Sequence, residues 1–516
     1  MADGAVGIVA LVDWLRSLAP AAQLTSDSRL LAAGDVFLAY PGDSADGRSH
    51  IASAVKRGAA AVLFDDDGDF EWNAALDVPH RAVAGLKQQA GPIANAWYDT
   101  PDAQMVVVAV TGTNGKTSCS QWLGRALSRQ GQPTLVVGTL GTGIYRNGMA
   151  GNFSETGYTT PDAVLLQRRL AQARGNGARA LAIEASSIGI DQGRLNGLHV
   201  DIALFTNFTR DHLDYHGDMA AYEAAKRRLF DWPGLRHAVI NLDDAMGQRL
   251  AAHLRDQSPS VGVTGYSIAD ANDGANAGDV SVLRAVDIRS SNSGTVFQLV
   301  TPQGAAQVRT QLVGQFNVSN VLGIAGVLMA RGTSLRTVVE LLEALHPVPG
   351  RMQQMGGQEA PLVVIDYAHT PDALVKTLAT LRDVSQQRHG RLWCVFGCGG
   401  ERDPGKRAQM GAAATVADHV IVTSDNPRGE DPAGIIEQII EGMKISNAMH
   451  SAPHVIEDRA AAILYAVKHA ARADVVLLAG KGHETTQEIR GRKLPFLDAD
   501  HAALSLAARV TMKGML

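Results

Sequence analysis

The aliphatic run Val106–Val110 leads straight into Thr111-Gly112-Thr113-Asn114-Gly115-Lys116-Thr117, and this junction carries the strongest chemical signal in the chain. A buried strand entering a glycine-containing turn and then a helix offers phosphate oxygens backbone N–H groups, a positive helix terminus and the full charge of Lys116. The hydroxyl of Thr117 stands where the last residue of a phosphate loop meets Mg²⁺. Val110 stands where the general form of that loop has a glycine, so the turn is a shortened variant. Gly112, Thr113, Asn114, Gly115, Lys116, Thr117 and Ser118 are the candidate nucleotide contacts.

Further along, single residues carry chemistry only in company. Glu184 closes the predicted strand Ala180–Glu184, where a carboxylate either faces solvent or, with the Thr117 hydroxyl, suits Mg²⁺, which prefers oxygen ligands. His212 lies in a run with Asp211, Asp214 and His216, which on residues alone is either a polar loop or a metal loop. Spacing predicts a helix over Met219–Phe230 with Met219, Tyr222, Lys226 and Leu229 on one apolar face. A lysine placed there ordinarily snorkels to water. Asn317 and Asn320 open a predicted helix, either as caps or as ligand contacts. Asp425-Asn426-Pro427-Arg428 follows a predicted strand and is either a plain turn or a site from which Arg428 grips a carboxylate through two parallel hydrogen bonds. Cys394 and Cys398 are close but have no third or fourth ligand, so reduced thiols are expected rather than a zinc site or a disulfide scaffold.

The elements that must hold these residues form three regions of an α/β chain. With 516 residues, more than one hydrophobic core is expected. Residues 1–103 contain short apolar segments, Asp35–Tyr40 and Ala59–Phe64, without a strong motif. Over 104–346, the strand-like runs Met105–Val110, Thr134–Gly138, Ala180–Glu184, Ile202–Thr206 and Ala238–Asn241 alternate with helical patterns such as Lys116–Arg129 and Pro161–Arg174. That alternation predicts a parallel sheet covered by helices. Ser281–Arg289, Thr295–Val300 and Ala306–Leu312 break the rhythm as a small antiparallel insert, and Asp270–Gly278 reads as a solvated loop. Pro347–Gly350 is the expected linker to region 347–516. There Leu362–Ile365, Leu392–Phe396, His419–Thr423 and Val475–Leu478 predict a doubly wound sheet with ligands at the carboxyl ends of its strands. The composition, 46% hydrophobic and 19% charged with a net charge of -5, gives no electrostatic footprint for nucleic acid or an anionic membrane. No apolar run approaches the ~20 residues of a membrane span, and the first residues do not read as a secretory signal, so a cytoplasmic protein is expected.

The loop Thr111–Thr117, with Thr159-Thr160-Pro161-Asp162, Glu184-Ala185-Ser186-Ser187 and the segment Thr206–His216, resembles the Mur ligase family. Tyr222–Lys226, Gly314–Asn320, Gly350-Arg351-Met352, Asp366–Pro371 and Gly480–Glu484 extend the resemblance over essentially the whole chain. The resemblance implies three domains: an N-terminal α/β uridine-binding domain, a central P-loop ATPase-like parallel sheet, and a C-terminal Rossmann-like domain. It implies ATP as co-substrate and catalytic roles for Lys116, Glu184, His212 and Lys226. Mg²⁺ would be held by Thr117 and Glu184, and by His212 with Lys226 as a carbamate. Asn317 and Asn320 would lie near the adenine, and Arg351 and Asp366 would close over phosphates and ribose, with His369 in the same motif.

For the substrate UDP-MurNAc-L-Ala-D-Glu, the resemblance implies Ser26, Ser28, Asp43, Ser44 and Ala45 on the uridine. It implies Tyr158, Thr159, Thr160, Ser186, Gln192 and Arg194 on the sugar-peptide. Tyr158 stands where some relatives carry Asn, and Ile188 where relatives often carry His. Arg402, Asp425, Asn426, Pro427, Arg428, Gly480 and Glu484 would bind the acceptor amino acid. Arg428 is usually absent from lysine-adding members, so meso-diaminopimelate is the implied acceptor, with Glu484 suited to an ammonium group. A monomer acting on small molecules, without nucleic acid or membrane, is the expectation. The competing readings are a lysine-adding ligase, a folylpolyglutamate synthase-like ligase, and a regulator that binds ATP without ligating anything.

Overall fold

The computed structural model describes residues 2–42, 45–154, 156–269, 280–291, 294–446 and 452–513. Asp43, Ser44 and the expected loop Asp270–Gly278 lie outside the described residues.

Alternate residues of Val106–Thr111 face opposite sides of an eleven-stranded sheet, which is why the run is apolar throughout. Val108 and Val110 pack with Trp122, Leu123 and Leu322 on one face, whereas Val107 and Ala109 pack with Leu166, Leu170 and Leu250 on the other. The central strands lie in the order His237–Asn241, Ile202–Phe205, Val106–Thr111, Ala180–Glu184 and Thr134–Gly138, all parallel. Their carboxyl ends therefore open on one side, where Lys116 and Glu184 both lie. Thr134–Gly138, Ala180–Glu184 and the helix Lys116–Arg129 have the predicted bounds. The helix predicted from Pro161 starts at Ala163 because Asp162 caps it, accepting from the N–H groups of Val164 and Leu165.

The expected antiparallel insert is instead an edge of this sheet. Ser281–Ser291 pairs in parallel with Gly262–Ser267, and Gly294–Thr301 and Gly304–Thr310 add antiparallel strands outside it. On the opposite side the sheet continues into the antiparallel strand Gly141–Arg146, whose glycine-rich sequence carries no strand pattern, and ends in the short edge strand Met149–Ala150.

The N-terminal sheet has four parallel strands, Leu24–Thr25, Val36–Ala39, Ala61–Asp65 and His80–Val83. The first is too short and the last too polar to read as strands in the sequence. The C-terminal sheet runs Gln353–Gly356, Leu362–Asp366, Val475–Ala479, Leu392–Phe396, His419–Val422, His454–Val455, parallel except for its first edge. Val364 faces Leu374, Leu378 and Ile439, and Val363 and Ile365 face Ala462, Ile463 and Ala466, so helices cover both sides. The linker before this sheet is tied back to the phosphate-loop helix, because the Trp122 indole donates to His346 O at 2.9 Å.

The helix Leu86–Trp97, the last of the N-terminal region, meets the central domain backbone to backbone. A Cβ on Gly91 would lie 1.9 Å from Asn196 O and 3.1 Å from Ala163 Cβ, so only glycine permits this approach. Gly91→Val should therefore separate the two domains and destabilise the fold by about 1–3 kcal/mol or more. Thermal unfolding should show an earlier transition, and an unchanged melting curve would contradict this packing.

Candidate functional site

The phosphate loop is held open by the end of the neighbouring strand. Gly112 adopts φ 147°, and a Cβ there would lie 1.9 Å from Thr206 Oγ1. Thr206 Oγ1 donates to Asn114 O at 2.6 Å, Thr113 N–H to Asn207 O at 2.8 Å, and Asn114 N–H to Asn207 Oδ1 at 2.9 Å. Thr206 and Asn207 thus shape the turn, a role visible only once the strands are adjacent. Gly115 caps the helix that begins at Lys116.

Lys116 folds back over the loop, donating to Gly112 O and Thr113 O, both at 2.9 Å. Lys226, only 1% exposed, donates to the same Gly112 O at 2.8 Å, and its Nζ lies 4.5 Å over the Tyr222 ring. The snorkelling expected from spacing does not occur, because that carbonyl gives the amine a partner inside the fold. The helix is also shorter than predicted, Met219–Arg227, though Leu229 beyond it is still buried. Burial and then the Lys116 charge push the Lys226 amine well below its ordinary range; Asp211 only partly opposes them. Lys116 is lowered too, by burial, against the pull of Glu184 and Asp211.

Glu184 is fully buried at its strand end. It accepts from Thr117 Oγ1 at 3.1 Å, Thr139 Oγ1 at 2.9 Å and Thr139 N–H at 2.9 Å. Thr139, which no sequence pattern marks, thus orients the carboxylate toward the loop. Arg351, from beyond the linker, donates to Thr117 Oγ1 at 3.0 Å and stacks over Tyr367 at 4.3 Å. His212 adopts φ 54° beside Asp211, with Nε2 3.5 Å from its carboxylate. Burial, outweighing Asp211 and helped by Lys116 and Lys226, lowers His212 to about 4. Burial alone would raise Asp211, yet His212, His369, Lys406 and Lys116 bring it down to about 2. His369 Nε2 is 3.8 Å from the same carboxylate.

Lys116, Thr117, Thr139, Glu184, Asp211, His212, Arg351 and His369 line one cavity of about 1260 Å³ between the central and C-terminal domains, whereas the buried Lys226 is not among its lining residues. Asn317 and Asn320 line it, but the helix Gln315–Ala330 is capped by Gly314, so neither serves as the cap. Asn317 donates to Val313 O at 2.8 Å, and Asn320 lies against Gly115. Asp366 accepts from Met352 N–H at 2.8 Å, and burial, outweighing Arg351, raises its carboxyl.

Tyr158, Thr159, Ser186 and Arg194 line the same cavity, as does Ile188. Arg194 is fixed by Thr160 O at 2.9 Å, by Gln192 Oε1 at 2.9 Å, and by the Tyr158 ring 4.3 Å from its guanidinium carbon. Thr160 is buried beneath, donating to Glu184 O at 2.7 Å. Ser26, Ser28 and Ala45 are not among the residues lining this cavity. Ser26 donates to the capping Asp162 at 3.0 Å, which links the N-terminal domain to the central one.

Arg402 lines the cavity, 3.6 Å from Asp214. Arg428 lies behind it, with Nη1 donating to Gly400 O at 2.6 Å and Nε 3.8 Å from Glu488. Its backbone at φ 53° is clamped by Glu488 O at 3.0 Å and Arg490 N–H at 2.6 Å. Asn426 donates to Glu484 Oε2 at 2.8 Å, and the buried Asp425 lies against Gly480. Pro427 O accepts from Glu430 N–H at 3.0 Å, which completes the turn. Lys481, within a motif already noted but without an assigned role, donates to both Asn426 and Glu484.

Comparison with known proteins matches this chain on all three regions. Family models for the Mur ligase catalytic, middle and glutamate ligase domains match residues 21–98, 110–328 and 350–482. A UDP-N-acetylmuramoyl-L-alanyl-D-glutamate–2,6-diaminopimelate ligase of Janthinobacterium sp. (strain Marseille) is 65% identical, covering 98% of this chain and 97% of the relative. The enzyme of the same name from Ralstonia nicotianae is 52% identical over 98% and 97%. A solved structure of a protein of that name aligns with a TM-score of 0.65 at 36% identity, covering 95% of each chain. With a MurF ligase of Thermotoga maritima in complex with ADP, the TM-score is 0.64 at 18% identity over 95% and 98%, which shows a shared fold. The three matched domains and the full-length relatives establish that this chain belongs to the Mur ligase family.

Proposed function

We propose that the chain uses ATP to join the γ-carboxylate of UDP-MurNAc-L-Ala-D-Glu to an amine of meso-diaminopimelate, in peptidoglycan precursor synthesis. The observation that carries this reading is one cavity lined by the phosphate loop, by Arg194 and Ser186, and by Arg402. At about 1260 Å³ it exceeds the ~300–1,000 Å³ typical of a single-ligand site. The names of the full-length relatives support the choice of substrates.

The γ-carboxylate attacks the γ-phosphorus of ATP, giving an acyl phosphate and ADP. The amine then attacks the acyl carbon, a proton leaves the nitrogen, and phosphate departs as the amide forms. Lys116 and Arg351 offset the charge of the transferred phosphoryl group, and the loop amides orient it. Positioning and charge carry the catalysis, so no protein nucleophile is required. Thr117 and Glu184, an oxygen-only pair 3.1 Å apart at the loop, suit Mg²⁺. Among the described residues no three His, Cys, Asp or Glu side chains gather to hold a metal by themselves, which fits an ion that keeps waters and phosphate oxygens. His212 and a carbamylated Lys226 would hold a second ion; bound Mg²⁺ supplies charge neutralisation of the phosphates. Tyr158 and Gln192 orient Arg194 toward the muramyl peptide, while Ser26, Ser28 and the 43–45 loop take the uridine. Asn317, Asn320 and Asp366 take the nucleoside, and Arg402, Arg428, Asn426, Gly480 and Glu484 take the acceptor. A site inside the cell follows from these precursors; no helix among the described residues is long and apolar enough to cross a membrane.

Phosphate release with the muramyl dipeptide should depend on meso-diaminopimelate, and equal turnover with L-lysine would overturn the acceptor choice. Arg428→Ala should raise the KM for meso-diaminopimelate roughly tenfold or more, the scale of one charge-assisted hydrogen bond of about 1.5–3 kcal/mol. An unchanged KM would remove Arg428 from the carboxylate site. Because burial and the Lys116 charge lower the Lys226 amine and so favour the uncharged form that reacts with CO₂, CO₂-free buffer should slow the enzyme and bicarbonate should restore it. Activity indifferent to bicarbonate would count against the carbamate.

A further inference from the structure

Lys481 is fully buried in the Gly480–Glu484 turn, and three oxygens take its ammonium protons. They are Thr486 O at 2.8 Å, Glu484 Oε2 at 2.9 Å and Asn426 Oδ1 at 3.1 Å. Asn426 Oδ1 also accepts from Glu488 N–H at 2.9 Å, so the amide can turn only its Nδ2 toward Glu484 Oε2, at 2.8 Å. Two donors thus meet on Oε2, while Oε1 has the Tyr367 hydroxyl at a long 3.4 Å.

We propose that Lys481 is a positioning residue for the acceptor amino acid, locking the Asn426 amide and the Glu484 carboxylate so that Oε1 stays available to the incoming ammonium group. This inference rests on the reading of Asn426, Arg428 and Glu484 as acceptor contacts. The charge balance of the pocket supports it. Glu484 is faced by Lys481, His483, Tyr367, Asp425 and Arg459. Burial alone would raise its carboxyl, and Lys481, with Asn426 and His483, brings it below the usual range. Arg459 is committed elsewhere, paired with Asp498 at 2.7 Å with both side chains wholly buried, and donating to Ala479 O at 3.0 Å. Lys481 is therefore the buried cation that holds the half-buried Glu484 carboxyl low, and an anionic Oε1 is what an ammonium group needs.

The test is steady-state kinetics of Lys481→Met with each substrate varied in turn, across pH. The expected result is an acceptor KM at least tenfold higher, with the KM values for ATP and the muramyl dipeptide within about twofold of wild type. Without Lys481 the Glu484 carboxyl takes up a proton at higher pH. The acceptor KM of K481M should then climb as pH falls, through a range where wild type stays flat. Lys481→Arg keeps the charge but not the compact head, so it should raise the acceptor KM while leaving the pH profile flat; it also carries the test if K481M does not fold. An acceptor KM and pH profile unchanged in K481M, or all three KM values rising together, would overturn the role of Lys481. So would a wild-type acceptor KM in K481R. A wild-type enzyme that does not use meso-diaminopimelate would overturn the acceptor reading itself, and this inference with it.

Discussion

Two lysines share one backbone oxygen at the centre of this molecule. Lys116 and Lys226 donate to Gly112 O at 2.9 and 2.8 Å. Two unit charges about 4 Å apart repel by about 4 kcal/mol at an effective dielectric near 20, so two full cations share a buried acceptor only at a cost. Only two relief routes are at hand. One lysine binds its proton less tightly, the direction in which burial and Lys116 push Lys226, or negative charge enters the site. The nearest fixed negative charges, Glu184 and Asp211, are already engaged by hydrogen bonds or imidazoles. Phosphate oxygens beside the two amines offset that repulsion, so the loop is preorganised for anions.

That preorganisation depends on the parallel sheet. Thr206 and Asn207 end the strand beside Val106–Thr111 and hold the loop, and Glu184 ends the strand on the other side. Parallel register brings all three strand ends to one edge, where side chains over 70 residues apart in sequence become neighbours. The C-terminal domain completes the site through Arg351 on Thr117 at 3.0 Å and through weaker pairs at the rim. Arg210–Asp403 at 3.1 Å and Arg402–Asp214 at 3.6 Å are partly exposed pairs, each contributing at most about 1 kcal/mol. Ligands that touch both walls of the cavity have far more to contribute to holding the domains together.

Local features were legible in the sequence and relational ones were not. The phosphate loop, its helix and the aliphatic strands follow from residue type and period, since each strand is buried on both faces and each helix has one apolar side. Sheet order was not legible: the strands 281–310 look like an insert because their alternation is antiparallel, yet they extend the main sheet. The burial of Lys226 defied its type, because the partner that makes burial tolerable is a carbonyl more than a hundred residues away. Thr139 had no signal at all; it is a threonine in a turn until Glu184 is placed beside it.

The two ends of the site solve opposite electrostatic problems with the same residue type. At the loop, Lys116 and Arg351 stand near carboxylates without being consumed by them, leaving positive charge for a polyanion. In the C-terminal domain, Lys481 and Arg459 are each committed to a carboxylate, so their charge is cancelled within the fold. What remains there is directional: the Asn426 amide, the Glu484 oxygen that meets the Tyr367 hydroxyl at 3.4 Å, and the clamped guanidinium of Arg428. On the proposed reading, excess cation beside Glu484 would repel the acceptor amine, and excess anion at the loop would repel the phosphates. Pairing the buried lysine and arginine with carboxylates in one domain, and crowding the lysines of the other onto a carbonyl, keeps the two fields separate.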